Sequence, residues 1–395
     1  MLEGKRIIVG ITGSIAVHKA ADLVSKLTQA GAEVDVILTE AGAQFITPVA
    51  LRALSGRPVY TDVFDTRAEL AISHVELARR ADAVVIVPVS ATTLARLAHG
   101  FADNLLSLTV LATQAPVLLA PAMDGHMWEN AATQANLALL KERGMMVVGP
   151  VEGHLASGRV GLGRMVEVET ILGALRQMLG RNGDLAGRKL VVSAGGTQEP
   201  IDPVRYVGNY SSGKMGYAIA EAARDRGAVV TLVSAPVALA VPYGVELVAV
   251  KTAEEMRDAV VARCADADAL IMAAAVADYR PVAAAEQKIK RSPAERTLEL
   301  VPTPDILAEV KGDLVRVGFA AESQELEKNA ADKLARKGLD LIVANDITAP
   351  GSGFGTDTNQ VTIIDKSGTS ETLPLLSKYE VAQRILDRVV PLLKK

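Results

Sequence analysis

Two glycine-rich turns stand where phosphate chemistry is possible. In the first half the apolar run RIIVGI, residues 6–11, leads into Thr12-Gly13-Ser14 and then a helical stretch ending near Gly31. Exposed N–H groups and the positive end of a helix dipole favour an anion at such a turn, and glycine lets the backbone approach it. Three more loops follow candidate strands: Thr39-Glu40-Ala41, Pro88 to Thr93 (containing Ser90), and Pro121-Ala122-Met123-Asp124. Together they outline a cofactor pocket at the carboxyl ends of a sheet. In the second half Gly195 and Gly196 end a strand, and Ser211-Ser212-Gly213-Lys214-Met215-Gly216 opens a helix with hydroxyl and N–H donors at its positive end. The spacing is not a Walker loop, neither turn is GxGxxG, and the next strand, VTLVSAP, carries no acid for a ribose. Asp278 stands at a strand end, with Lys288, Lys290 and Arg291 a short loop away. An acid able to hold Mg²⁺ beside mobile cations is what triphosphate chemistry requires.

The elements that position these residues follow from hydrophobic periodicity. Apolar runs at 6–11, 34–39, 83–89, 116–120 and 145–149 alternate with helical stretches at 92–99, 103–113, 128–143 and 167–179. Such alternation implies right-handed crossovers and a parallel sheet. The glycine-rich segment 151–165 lacks periodicity and reads as a long mobile loop, a candidate lid. GRNGDLAGRK is the linker candidate, which sets domains at 1–183 and 184–395. Beyond it the scheme restarts, with a helix over 212–226 and strands at 189–196 (KLVVSAGG), 228–233, 246–250, 268–273, 315–320 and 340–344. The expected fold is α/β: two doubly wound, mainly parallel domains, the first flavodoxin-like and the second Rossmann-like.

Composition agrees. Of 395 residues 49% are hydrophobic and only 3% aromatic, so the cores must be built from Ala, Val, Leu and Ile. The net charge of −4, without a basic block, argues against nucleic acid as a partner. No long apolar stretch suggests a membrane span or targeting segment, so the expected location is cytoplasmic. The single cysteine, Cys264, reads as a buried small hydrophobe in a helix.

The stretches GITGSIAVHK, ISHVELAR, PVSATT, HGFADNLLSL, PAMDGHMW and GRVGLGRM occur in order over residues 5–165, and here the sequence resembles the flavin-dependent cysteine decarboxylases (HFCD flavoproteins). The resemblance implies FMN held by Gly13, Ser14, Thr39, Ser90, Ser107 and Met123, and makes His74 a catalytic histidine. A flavin is needed because a carboxylate on a saturated carbon has no electron sink until the neighbouring thiol is oxidised to a thioaldehyde. The resulting enethiol must then be reduced and protonated. Two positions depart from the family. Asp124 replaces the asparagine associated with holding the substrate carboxylate; ionised, it would repel that group unless protonated, paired with a cation such as Arg164, or oriented away. Ser157 stands where some relatives carry a lid cysteine, and its hydroxyl is a far poorer acid, which leaves His154 or water as donor.

The second half, through SAGGTQEP…SSGKMG, PTPDIL, GFAAES, KLARKGLDLIVAND and GFGTDTN, resembles the phosphopantothenate–cysteine ligases of bifunctional coenzyme A biosynthesis proteins. That resemblance implies activation of 4′-phosphopantothenate by CTP as an acyl-cytidylate, which the cysteine amine then attacks. It places Asn209 at the acyl-cytidylate, Lys288 in activation and at the nucleotide, Asp278 at the metal and nucleotide, and Asp305, Phe319, Lys333 and Lys337 near the nucleotide. It further implies homo-oligomers, with ligase dimers, decarboxylase trimers and a possible dodecamer. The ligase product is the decarboxylase substrate, which gives the fusion a chemical rationale. Two alternatives are a tandem Rossmann NAD(P) oxidoreductase and a non-catalytic flavoprotein regulator.

Overall fold

The computed structural model describes residues 1–64, 74–291, 296–322, 326–346, 353 and 355–393. The chain divides into two compact units, Met1–Leu179 and Gly180–Lys395.

In the first unit six parallel strands form one sheet: β1 (Arg6–Ile11), β2 (Glu33–Leu38), β3 (Val59–Tyr60), β4 (Ala83–Val89), β5 (Val117–Pro121) and β6 (Met146–Val147), in the order β3-β2-β1-β4-β5-β6. Every residue of β4 is buried, as expected of a parallel strand covered by helices on both faces. The chain leaves β1 toward β2 and later returns on its other side to β4, so the topological switch opens beyond the ends of β1 and β4. The helix Val17–Gln29 buries Val17, Ala20, Leu23, Val24 and Leu27, the i, i+3, i+4 stripe of a surface helix. Each such leucine contributes about 2 kcal/mol relative to exposure.

Three details differ from the periodicity reading. The helix expected over 128–143 is two, Gly125–Glu129 and Ala131–Glu142, because Asn130 accepts from the Ala132 amide and restarts the helix. The helical stretch 103–113 contracts to Leu105–Ala112, opened by a capping box between Asn104 and Ser107. The segment 151–165, expected to be an irregular loop, contains an antiparallel hairpin of β7 (Val151–His154) and β8 (Val160–Arg164). Tertiary contact explains it: the Met123 amide donates to the Gly163 carbonyl at 3.1 Å, and a side chain at Gly163 (φ +152°) would overlap the Met123 carbonyl oxygen.

The second unit has an eight-stranded sheet. Its strands are β9 (Lys189–Ala194), β12 (Val229–Ser234), β13 (Glu246–Ala249), β14 (Ala269–Met272), β17 (Val315–Glu322), β18 (Leu341–Asp346), β20 (Val361–Asp365) and β21 (Ser370–Thr372). Short pieces lie outside that sheet: β10 (Gln198–Pro200) with β11 (Tyr206–Gly208), β15 (Tyr279–Pro281) with β16 (Leu300–Pro302), and β19 (Thr358–Asn359). The order is β13-β12-β9-β14-β17-β18-β20-β21, parallel through β18 and antiparallel beyond. The antiparallel edge, with Leu341 opposite Asp365, is absent from the periodicity reading. The switch point falls between β9 and β14. Helices Lys214–Asp225 and Lys378–Val389 pack together on one face, burying Ile219, Ala223, Ile385 and Leu386 with the strand side chains Leu190 and Leu232. Cys264 is buried at the end of the helix Ala253–Cys264, and burial pushes its thiol up to about 12. No helix among the described residues is long and apolar enough to cross a membrane.

Candidate active sites

The first unit carries a cavity of about 400 Å³ between the turn after β1, the loop after β5 and the hairpin. Ser14, Met123, Asp124 and Ser157 line it, together with His18, Lys19 and His154. Gly13 adjoins this wall without lining it. A Cβ at Gly13 would sit 2.8 Å from the Ala41 Cβ, so glycine there lets the turn after β1 pack on the turn after β2.

Thr39, Ser90 and Ser107 also lie outside the lining; Thr39 and Ser90 each cap a helix, and Ser107 completes the capping box of Asn104. The Thr39 hydroxyl donates to Ile11 O at 3.0 Å and accepts from the Gly42 amide. Ser90 Oγ accepts from the Thr93 amide, and Ser107 Oγ donates to Asn104 O at 3.1 Å. By contrast, the helix Val17–Gln29 begins at Ala16 with no side-chain cap. A donor-rich, uncapped helix start beside a cavity fits the phosphate of a flavin nucleotide. His74 opens the helix His74–Arg80 and does not line the cavity; residues 65–73 before it, including the start of the ISHVELAR stretch, are outside the described residues.

The structure decides among the alternatives for Asp124. Its carboxylate caps the helix Gly125–Glu129, accepting from the His126 amide at 3.0 Å and from Ser157 Oγ at 2.9 Å. These two bonds, the backbone one foremost, hold its pKa below the ordinary carboxylate value, so Asp124 is ionised at neutral pH rather than protonated. It is not paired with Arg164 either, which instead meets Glu167 at 2.8 Å. The two positions that depart from the family are therefore bonded to each other. Sequence reasoning missed Lys19, whose Nζ donates to the carbonyls of Met165 (3.0 Å) and Val166 (3.3 Å) and so joins the helix Val17–Gln29 to the strand end below the hairpin.

The second unit holds a cavity of about 850 Å³ at its switch point. Asn209, Asp278, Asp305, Phe319, Lys333 and Lys337 all line it, although they come from five separate stretches of chain. Asn209 Nδ2 donates to Val276 O at 3.0 Å, which ties the loop before the helix Lys214–Asp225 to the loop after β14. Glycine is required at Gly216, where a Cβ would lie 2.7 Å from Ser193 O and push the helix off β9. Lys337 pairs with Asp305, and Lys333 Nζ donates to Phe319 O at 2.8 Å. Asp278 is exposed. Among the described residues no group of three or more His, Cys, Asp or Glu is arranged to hold a metal ion. Two carboxylates line the cavity among the described residues, and with Asp305 held by Lys337 the site suits Mg²⁺ that arrives bound to phosphates, since this ion keeps waters and substrate oxygens as ligands.

Lys288 is exposed and does not line the cavity. Its neighbour Ile289 is anchored: Arg205 Nη2 donates to Ile289 O at 2.7 Å, and the Ile289 amide donates to Asp202. The Arg205 guanidinium holds the Asp202 carboxyl far below the usual carboxylate range. Sequence reasoning also missed Asn345 and Lys378 on the cavity wall. Asn345 sits inside the quoted stretch KLARKGLDLIVAND. Lys378 carries no local signal beyond the capping box of Ser377 and Glu380 around it.

A family model described as Flavoprotein matches residues 1–180, and one described as DNA/pantothenate metabolism flavoprotein C-terminal domain matches 185–392. The coenzyme A biosynthesis bifunctional protein CoaBC of Vibrio vulnificus (strain YJ016) is 45% identical over 398 residues, covering 99% of this chain and 99% of its own length. That of Bacillus subtilis (strain 168) is 44% identical over 401 residues, covering 100% and 99%. The chain belongs to this family. With both halves covered, the bifunctional chain is an enzyme of coenzyme A biosynthesis, a phosphopantothenoylcysteine decarboxylase with a flavoprotein domain joined to a phosphopantothenate–cysteine ligase. A crystal structure of the C-terminal domain of a CoaBC protein is similar at 42% identity and a TM-score of 0.46, covering 53% of the bifunctional chain and 97% of that domain.

Proposed function

We propose that the second unit couples 4′-phosphopantothenate to cysteine at the expense of CTP, and that the first unit, with FMN, decarboxylates the product to 4′-phosphopantetheine. The observation that carries the ligase reading is the convergence of Asn209, Asp278, Phe319, Lys333 and Lys337 on one 850 Å³ cavity. Lys333, Arg336 and Lys337 present cations to a triphosphate, and Asp278 shares Mg²⁺ with those phosphates. Asn209 offers uncharged donors to the oxyanion that develops when the pantothenate carboxylate attacks the α-phosphorus and again when the cysteine amine attacks the acyl-cytidylate. The first attack releases pyrophosphate and the second releases CMP. Lys288, on its anchored loop, moves toward the phosphates during activation.

In the first unit the uncapped start of the helix Val17–Gln29 receives the FMN phosphate, supported by Gly13 and Ser14. Thr39 and Ser90 as caps and Ser107 in its capping box shape the surrounding loops, and Met123 flanks the ring. Bound there, FMN supplies the oxidation that makes the thiol-bearing carbon an electron sink for the departing carboxylate, and the later reduction. His74 accepts and returns protons. The family resemblance implies decarboxylase trimers, with His74 of one copy serving the cavity of another, and ligase dimers; exposed Phe45, Val49, Phe101 and Met127 in the first unit and Val204, Tyr206 and Tyr210 in the second are apolar surface available to such contacts.

Incubation with 4′-phosphopantothenate, cysteine, CTP and Mg²⁺, followed by mass, tests both activities. The expected products are the cysteine adduct and the decarboxylated aminothiol. Failure to form either with CTP while another nucleotide succeeds would refute the nucleotide assignment.

A further inference from the structure

Lys378 occupies an electrostatically costly position. It is 6% exposed and is the first residue of the helix Lys378–Val389, whose positive end faces it. A buried ammonium normally sits against a carboxylate. Here its partners are neutral oxygens of one loop: Gly353 O at 3.0 Å, Thr356 O, Thr356 Oγ1 at 3.5 Å and Thr358 O at 3.4 Å. Burial foremost, and then the Lys214 ammonium, hold its pKa below the ordinary lysine value. Lys214 likewise begins its own helix and donates to the same segment, to Gly355 O at 2.9 Å and the Asp357 carboxylate at 2.7 Å. Two lysines at two helix starts thus grip one loop from either side, with one carboxylate between them. A fold wanting only a filled core would place an apolar side chain here.

The gripped loop is part of the nucleotide cavity. Gly353 and Asn359 line it, as do Lys214 and Lys378. Asn359 is itself 3% exposed and ends β19 one residue before β20, so the carboxyl end of the loop runs directly into the sheet while the lysines hold Gly353, Gly355, Thr356 and Asp357. Tyr379, next in the helix, donates to Asp225 at 2.7 Å, which in turn holds Arg224, so the helix start is pinned to the end of the helix Lys214–Asp225.

We propose that Lys378 is a positioning residue of the ligase, one that holds Gly353 and residues 355–359 in the wall of the nucleotide site and thereby sets the affinity for CTP. The proposal rests on the reading of this cavity as the CTP site. Lys378 itself needs no contact with the nucleotide. Its three carbonyl acceptors hold the loop closed, and with them withdrawn Lys214 loses the partners that orient it beside Ser211 and Ser212.

The test uses the full chain with Lys378→Met, which keeps the length and apolar stem, and Lys378→Arg, which keeps charge and donors. CTP binding is measured by calorimetry, ligase steady-state kinetics by pyrophosphate release, and melting temperature alongside. Loss of hydrogen bonds to a charged donor predicts a CTP Kd and KM raised about tenfold in Lys378→Met, with kcat within about threefold of the parent. Lys378→Arg recovers most of the affinity, and decarboxylation of supplied 4′-phosphopantothenoylcysteine is unchanged in both. An unchanged CTP Kd, or a fall in kcat at unchanged KM that tracks the fraction unfolded, overturns the proposal. Absence of CTP-dependent pyrophosphate release in the parent chain would instead sink the reading of the cavity, so the two failures are distinguishable.

Discussion

The two cavities solve opposite electrostatic problems. The one in the first unit is about half the volume of the other, and its wall combines apolar Ile15, Ala16, Ala122, Met123, Leu155 and Met165 with Ser14, Lys19, Asp124, Ser157 and other polar residues. The one in the second unit gathers Lys214, Lys333, Arg336, Lys337 and Lys378 with Asn209, Asn345 and Asn359. An apolar slot with one donor-rich end suits a ring system carrying a single phosphate. A cationic cleft with neutral amides suits a triphosphate whose charge is redistributed during reaction. The means of construction differ as well. Glycine-mediated backbone contact closes the first site, at Gly13 against Ala41 and at Gly163 against Met123, whereas lysines reaching across to main-chain carbonyls close the second.

The sharpest way to break this contrast is Gly163→Ala. The added methyl overlaps the Met123 carbonyl, at a φ that side chains rarely adopt, so the hairpin cannot dock. Bound flavin, read by absorbance, and decarboxylation should both be lost, with ligase kcat retained; full flavin occupancy in the variant would show that the hairpin does not close the site. Next in size, Asn209→Ala should lower ligase kcat about a hundredfold, as removal of an oxyanion donor does, and leave flavin content untouched. A change confined to KM would reassign Asn209 to binding. Smaller again, Lys337→Ala should raise KM for CTP about tenfold by removing a charge-assisted phosphate contact, while freeing Asp305.

The smallest effect concerns acid. The depressed pKa of Asp124 means that its bond to Ser157 contributes fully above the ordinary carboxylate value of 3.8 and is lost as pH falls through the lower folded value. Hydrogen exchange at the amides of residues 157–159 should therefore accelerate only below pH 3.8 in the parent chain. Asp124→Asn, which keeps the helix cap, should remove that acid dependence; acceleration already near neutrality would mean that the latch is not formed.

Much of this molecule was legible in the order of its residues. Periodicity located the core strands of both sheets, because a buried parallel strand is a short continuous apolar run and its crossover helix repeats at i, i+3, i+4. The glycine turns marked the two switch points, since only glycine tolerates the backbone approach found at Gly13 and Gly216. Less was legible where the deciding partner is distant in sequence. Asn130 splits a helix by a local cap that hydrophobic pattern does not register. The hairpin at 151–164 exists because the Met123 turn supports it, and the antiparallel strands β20 and β21 because an edge was left open beside β18.

The same division holds at the sites. Chemical identity was local, in His74, Asn209, Asp278 and the motif lysines. Assembly was not. Ser157 meets Asp124 from 33 positions away, and Lys214 meets Asp357 from 143. The sequence by itself determined the element types and the chemistry available, because propensity and periodicity act over a few residues. Tertiary structure alone decided what the Asp124 carboxylate is bonded to and which lysine is buried, because both depend on partners and packing that only the folded chain brings together.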